Sequence, residues 1–122
     1  MDAQDTMRLM FDTMDAYDRG DFERLGEIYA EDARWTNVDP KGPHCRNRED
    51  IFTMFRRRME SGVTITFDEM RSTPAHVLLS ARVDGFDPVV SAFSFEGRRI
   101  ATVEDFGTME AAESALKGLE ED

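Results

Sequence analysis

The sequence predicts an α+β fold, with three helices in the first half, a curved antiparallel sheet in the second and a short helix at the end. Three observations carry this prediction. Up to Met59, apolar residues recur at three- and four-residue spacing, the period of a helix with one buried face. From Val63 onward they alternate with polar residues, as a half-buried strand requires. The links between the alternating runs are only a few residues long, and links that short join antiparallel neighbours. Helices segregated from the strands define an α+β plan. The sheet covers its apolar face by curling around the helices, which gives a cone-shaped roll whose open end is a natural ligand pocket.

The elements follow in order. Met7, Met10, Phe11, Met14 and Tyr17 mark a first helix, and Gly20 ends it, because a helix end often needs the left-handed conformation. Asp21 caps a second helix whose stripe is Phe22, Leu25, Ile28 and Tyr29, and the chain leaves that helix at Asp32. Arg34 to Val38 reads as a short strand. Pro40, Gly42 and Pro43 then forbid regular structure. Asn47 caps a third helix, with Glu49 and Asp50 in its first turn and Ile51, Phe52, Phe55 and Met59 on its buried side. Arg56, Arg57 and Arg58 suit the negative end of its dipole as a solvated helix end, and Gly62 stops it. Val63, Ile65 and Phe67 alternate as a strand, and Ser72-Thr73-Pro74 is a turn. Ala75 to Val83, Val89 to Phe95 and Ile100 to Phe106 are further strands, the last two joined by a hairpin at Glu96-Gly97-Arg98. Thr108 caps a final helix with Ala112, Leu116 and Leu119 as its stripe.

The stretch from Leu25 to Phe55 organises the rest. One helix must end and an extended segment must pass its open end. A second helix must then pack beside the first, with Trp35 between them. A large aromatic in that position walls a core or a pocket.

Composition bounds the function. The 122 residues suit one domain, 1–122, with a single core. Fifteen basic against twenty-six acidic residues give a net charge of −11. A surface that negative repels phosphate backbones, so no nucleic-acid partner is expected. A single cysteine, Cys45, leaves no internal disulfide, although its place at a helix entrance is one that lowers a thiol pKa. No apolar run approaches the roughly 20 residues of a membrane helix. The acidic start, MDAQDTMRLM, lacks the pattern of a secretory signal, so a cytoplasmic protein without a membrane partner is expected. His44 and His76 lack the spacing of metal ligands, and neither a metal nor a cofactor is expected.

Several local motifs carry a resemblance. They are Gly20-Asp21 between helices, Tyr29-Ala30-Glu31-Asp32-Ala33 leading into a strand, and Cys45-Arg46-Asn47-Arg48-Glu49 opening the third helix. Glu96-Gly97-Arg98-Arg99-Ile100 and Glu104-Asp105-Phe106 complete the set. With these motifs the chain resembles the nuclear transport factor 2-like superfamily, in particular its SnoaL-like branch, over nearly its whole length. That superfamily hosts enzymes, binding modules and assembly domains on one scaffold.

The resemblance implies candidate sites. A ketosteroid isomerase needs a tyrosine, a carboxylate base and a second acid. Those positions fall on Thr13, Asn37 and Ser91, none of which has the chemistry, so that activity is rejected. Limonene-epoxide-hydrolase-like proteins are a better match, with an aromatic-x-Asn pair, an Arg-x-Asp pair and a late Asp. Here these are Trp35 and Asn37, Arg82 and Asp84, and Asp105. In that family the late Asp and the Asn hold a water, the middle Asp protonates the epoxide and the Arg joins the carboxylates. The expected catalytic set is therefore Asp105, Asn37, Arg82 and Asp84. The expected pocket is apolar, lined by Trp35, Phe11, Met14, Phe55 and Phe93, and its partner is a small apolar molecule. The first reading is thus a SnoaL-like small-molecule-binding protein or cryptic enzyme, a hydrolase or an isomerase or cyclase if it is one. The alternatives are the epoxide-hydrolase-like enzyme and a non-catalytic dimer module for the whole chain, and Arg82 and Asp84 also read as a solvated strand edge. A homodimer through the second sheet face is expected from the resemblance, with Ile100, Thr102 and Phe106 opposing Ala101, Val103 and Asp105.

Overall fold

The computed structural model describes residues 2–73 and 75–120, with side chains as far as Lys117. Pro74 of the expected turn and the side chain of Leu119 lie outside the described residues. The order is α1 (Ala3–Asp18), α2 (Phe22–Ile28), β1 (Tyr29–Asn37), α3 (Arg48–Ser61), β2 (Ile65–Ser72), β3 (His76–Val83), β4 (Val89–Glu96), β5 (Arg99–Phe106) and α4 (Met109–Glu120).

The helix boundaries follow local chemistry. Asp21 accepts a hydrogen bond from the Arg24 N–H at 3.0 Å, Asn47 from Asp50 at 2.9 Å and Thr108 from Ala111 at 3.0 Å. Each satisfies an amide that the first helical turn would leave open. At the other end of α3, Gly62 takes φ 72°, a conformation that costs a residue with a Cβ. The chain leaves α2 earlier than the Asp-Ala signal predicts. α2 ends at Ile28 and β1 begins at Tyr29, with a register break between Tyr29 and Arg34. Arg48 from α3 donates to the carbonyls of Gly26 and Tyr29 at 2.8 and 3.3 Å, tying the two helices across that exit.

The five strands form one open, curved sheet in the order β1-β5-β4-β3-β2. β2 through β5 pair antiparallel, as their short links require, whereas β1 runs parallel to β5. No hairpin constrains that pair, because α3 and three strands intervene. The free edge of β1 is closed at one point, where Trp35 and Cys45 exchange backbone hydrogen bonds of 2.9 and 2.7 Å. Gly42 lies beside Asn37 so tightly that a Cβ there would sit 2.1 Å from Asn37 Nδ2, which is why the crossing needs glycine.

The core lies between the sheet and α1–α3. Met10, Leu25, Ile28, Tyr29, Trp35, Ile51, Phe55, Val77, Phe93, Ile100 and Val103 are buried there. Ile100 belongs to this inner face, not the outer one that simple alternation assigns. A register shift between Ser94 and Phe95 inserts one residue into the β4–β5 ladder and turns Ile100 over. The outer face carries a second cluster, in which Leu78, Val90, Ala92 and Phe106 pack under Ala112 and Leu116 of α4. Part of the face expected to meet a second copy is thus covered by the chain itself. Among the described residues, no helix is long and apolar enough to cross a membrane.

Candidate functional site

A cavity of about 80 Å³ lies between the inner face of the sheet and the helices. β2, β3 and β4 each present alternate residues to it, and β1 and β5 close it. Trp35 enters from β1, Ser91 and Phe93 from β4 and Asp105 from β5, while α1 supplies Met14 and Tyr17 and α3 supplies Phe55 and Arg58. The aromatic walls meet edge to face. The Trp35 ring centroid is 5.8 Å from that of Phe55 and 6.1 Å from that of Phe93, an arrangement the ring quadrupoles favour. The lining is most open at Phe67, 40% exposed on the edge strand β2.

Asp105 is the polar centre of this cavity and is 3% exposed. The Trp35 indole N–H donates to its Oδ2 at 2.8 Å, and the Ser91 hydroxyl donates to its Oδ1 at 2.5 Å. Burial pushes the Asp105 carboxyl above the usual carboxylate range. The two hydrogen bonds and the more distant charge of Arg58 pull it back in part. Trp35 can donate but not accept, so a proton taken up by Asp105 cannot pass to the indole. Each carboxyl oxygen keeps a lone pair beyond its one donor, which leaves Asp105 able to accept or release a proton at the cavity wall. Tyr29 is 2% exposed, and burial raises its phenol as well.

The structure brings together some of the residues expected from sequence and separates others. Trp35, Met14, Phe55, Phe93 and Asp105 all line the cavity. Phe11 does not and is 57% exposed. The inward face of α1 is set by Met10, Thr13, Met14 and Tyr17, and Phe11 stands one residue, about 100°, off that line. Arg82 and Asp84 are also corrected. Leu79, Ala81 and Val83 of β3 line the cavity, so the period of two turns Arg82 outward. There it donates to both oxygens of Asp68, at 2.8 and 2.9 Å. Asp84 is exposed in the turn after β3. Asn37 spends its side chain locally, accepting from the Asp39 N–H at 2.8 Å in an Asx turn. Asp105 therefore bonds to Trp35 and Ser91, not to Asn37 or Arg82, and the four-residue constellation of the epoxide-hydrolase resemblance is not assembled. The Cys45 thiol is raised by burial, not lowered by its helix entrance. Among the described residues, no group of three or more His, Cys, Asp or Glu side chains is placed to hold a metal ion.

Sequence reasoning missed Arg58, Tyr17 and Tyr29 as parts of the cavity. The Arg56-Arg57-Arg58 run was expected to be uniformly solvated. Instead Arg56 lies 4.5 Å over the Phe22 ring and Arg58 lines the cavity. The available signal was helical spacing, since Arg58 lies three residues past Phe55 and seven past Ile51, on the buried side of α3.

Residues 11–110 match the model of the SnoaL-like domain, and the chain belongs to that family. No curated protein matches it. Among solved structures, it is similar to Bal32a from a soil-derived mobile gene cassette, at 20% identity and a TM-score of 0.73 over 85% of this chain and 89% of that one. It is also similar to an NTF2-like protein from Burkholderia xenovorans, at 20% identity and a TM-score of 0.70, covering 94% and 98% of the two chains. A SnoaL-like protein of unknown function from Burkholderia thailandensis gives 16% identity and a TM-score of 0.70, covering 88% and 98%. At these identities the likeness is one of fold.

Proposed function

We propose that this chain binds a small, mainly apolar molecule in the cavity and that Asp105 acts on it as a general acid–base. One observation carries the reading. Asp105 is a buried carboxyl whose two oxygens are each held by one donor and which opens onto an aromatic-walled cavity. Perturbed carboxyls in concave sites are the groups that enzymes use for proton transfer. With Arg82 and Asp84 outside the cavity, the chemistry that remains is a single-residue proton shuttle. A buried base takes a proton from carbon beside a carbonyl and returns it elsewhere, as isomerisation or cyclisation requires. Trp35 and Ser91 hold the carboxyl in place for that step.

The test uses exchange at carbon. A small cyclic ketone deuterated beside its carbonyl is incubated with the protein, and loss of deuterium is followed by NMR. The expected result is protein-dependent exchange that falls by about 10²–10⁴-fold in Asp105→Asn. Equal exchange in both proteins, with the fold intact by circular dichroism, overturns the catalytic role.

A further inference from the structure

The cavity holds a second polar group of residues, apart from the Asp105 carboxyl and its two donors. Arg58, Tyr17 and Tyr29 all line it. The Arg58 side chain makes no hydrogen bond or ion pair among the described residues, and neither phenol hydroxyl has a hydrogen-bond partner there. Among the described residues seven ion pairs are present elsewhere, and four arginines, Arg19, Arg24, Arg71 and Arg82, share seven carboxylates of this strongly acidic chain between them. Arg58 takes no part in that surface network, and what distinguishes it from the other arginines outside the network is its place, half-buried on the wall of the aromatic cavity. Its charge reaches Tyr17, Tyr29 and Asp105, favouring the ionised form of each. Tyr29 is 2% exposed, and its ring is fixed on the cavity wall by edge-to-face contacts with Phe52 and Phe55.

We infer that Arg58, with the hydroxyls of Tyr17 and Tyr29, forms an anion-binding pole, and that the ligand of this cavity is a small acid: an apolar body carrying one carboxylate. The inference rests on the reading of the cavity as a ligand site and narrows its ligand class. A guanidinium offers paired N–H donors that match a carboxylate, and each phenol adds one more. The aromatic wall of Trp35, Phe55 and Phe93 takes the apolar body. Because the protein as a whole repels anions, selectivity for an acid has to come from a local cation, and among the described residues Arg58 is the arginine that lines this cavity.

Benzoate and its neutral counterpart benzamide test the pole directly. Trp35 is the only tryptophan and lines the cavity, so its fluorescence reports both titrations. The comparison uses the full chain, Arg58→Gln, Tyr29→Phe and the control Arg57→Gln. Arg57 is exposed on the same helix and does not line the cavity, although it and Arg58 both border a separate surface groove beside Cys45 and Asp50. Benzoate is expected to bind the unaltered protein about ten-fold or more tighter than benzamide. That preference should survive Arg57→Gln, vanish in Arg58→Gln and shrink several-fold in Tyr29→Phe, with benzamide binding unchanged throughout. If benzamide quenches Trp35 as effectively as benzoate, the anion pole is overturned and the apolar site stands. If Arg57→Gln and Arg58→Gln weaken benzoate equally, the effect is general surface attraction and the pole is again overturned. If neither ligand moves the fluorescence, both the pole and the ligand-site reading fall. Should Arg58→Gln fail to fold, an unchanged benzoate preference in Tyr29→Phe overturns the proposal by itself.

Discussion

Two carboxylates of the same sheet, Asp105 on β5 and Asp68 on β2, are driven in opposite directions. Asp105 sits on an inner strand, between β1 and β4, facing the helices. Burial raises its pKa, and its partners are neutral donors. Asp68 sits on the edge strand, where Arg82 grips both its oxygens and holds it below the ordinary carboxylate range. Both residues occupy short alternating runs of similar composition. What separates them is their place in the sheet: one strand is covered on both sides and the other has a free edge. Charged residues and the register shift between Phe67 and Glu69 on β2 are what a protected edge strand carries, whereas the lone acid on the inner face is the group on which the proposed function rests.

The largest effect that could break this contrast lies at Trp35. The ring is 6% exposed, wedged between Phe55 and Phe93, and donates to Asp105. Trp35→Ala should cost about 3–5 kcal/mol through the cavity it leaves, read from urea denaturation. A loss below about 1 kcal/mol would show that the inner face is not the packed wall described here.

Ser91→Ala is the next largest. It removes the closer of the two donors to Asp105 and leaves a buried oxygen short of a partner, at a cost of about 1–3 kcal/mol. The Ser91 bond is also the strongest of the influences lowering the Asp105 pKa. Its loss should move that pKa further upward, visible in the carboxyl carbon shift by NMR titration. A downward movement would mean that burial does not dominate at this site.

Much of this was legible in the chain. The helix caps at Asp21, Asn47 and Thr108 and the stops at Gly20 and Gly62 could be read locally, because capping is satisfied within four residues. So could the inward direction of Asp105, since Val103 lies two residues before it on the same face. The parallel β1–β5 pair was not legible, because no short link records it. Nor was the inward turn of Ile100, which depends on one inserted residue in a ladder between two strands. The epoxide-hydrolase pattern placed Arg82 by its neighbour Asp84, but Leu79, Ala81 and Val83 own the inward face of β3. The same limit applies to Ser91, which becomes a partner of Asp105 only through the β4–β5 register that sets the two opposite each other.

Asp105→Asn sharpens the comparison through pH. The folded-state pKa of Asp105 lies above its unfolded value, so its contribution to stability is full below the unfolded pKa. That contribution is lost as pH rises through the folded pKa. Asparagine does not titrate and can still accept from Trp35. Relative to the unaltered protein, the Asn variant should therefore gain stability as pH rises from about 4 towards 8. Urea midpoints across that range give the curve, and a difference independent of pH would mean that Asp105 is not strained by burial.

Arg82→Gln should have the smallest effect, and its sign is opposite. Asp68 has a folded pKa below its unfolded value, so its share of stability is present above the unfolded pKa and lost as pH falls through the folded one. Removing Arg82 abolishes that share. The pair is exposed at 60% and 40% on its two side chains, where water and salt screen the attraction and ordering two side chains costs entropy. At neutral pH and ordinary ionic strength, the melting temperature should stay within measurement error of the unaltered protein. Any difference should appear only in low salt and disappear on acidification. Exchange at a deuterated ketone and benzoate binding should both be unchanged, since Arg82 faces away from the cavity. If Arg82→Gln instead abolished exchange with the fold intact, Arg82 would belong to the working site after all. The division of the sheet into a chemical inner face and a protective edge would then fail at β3.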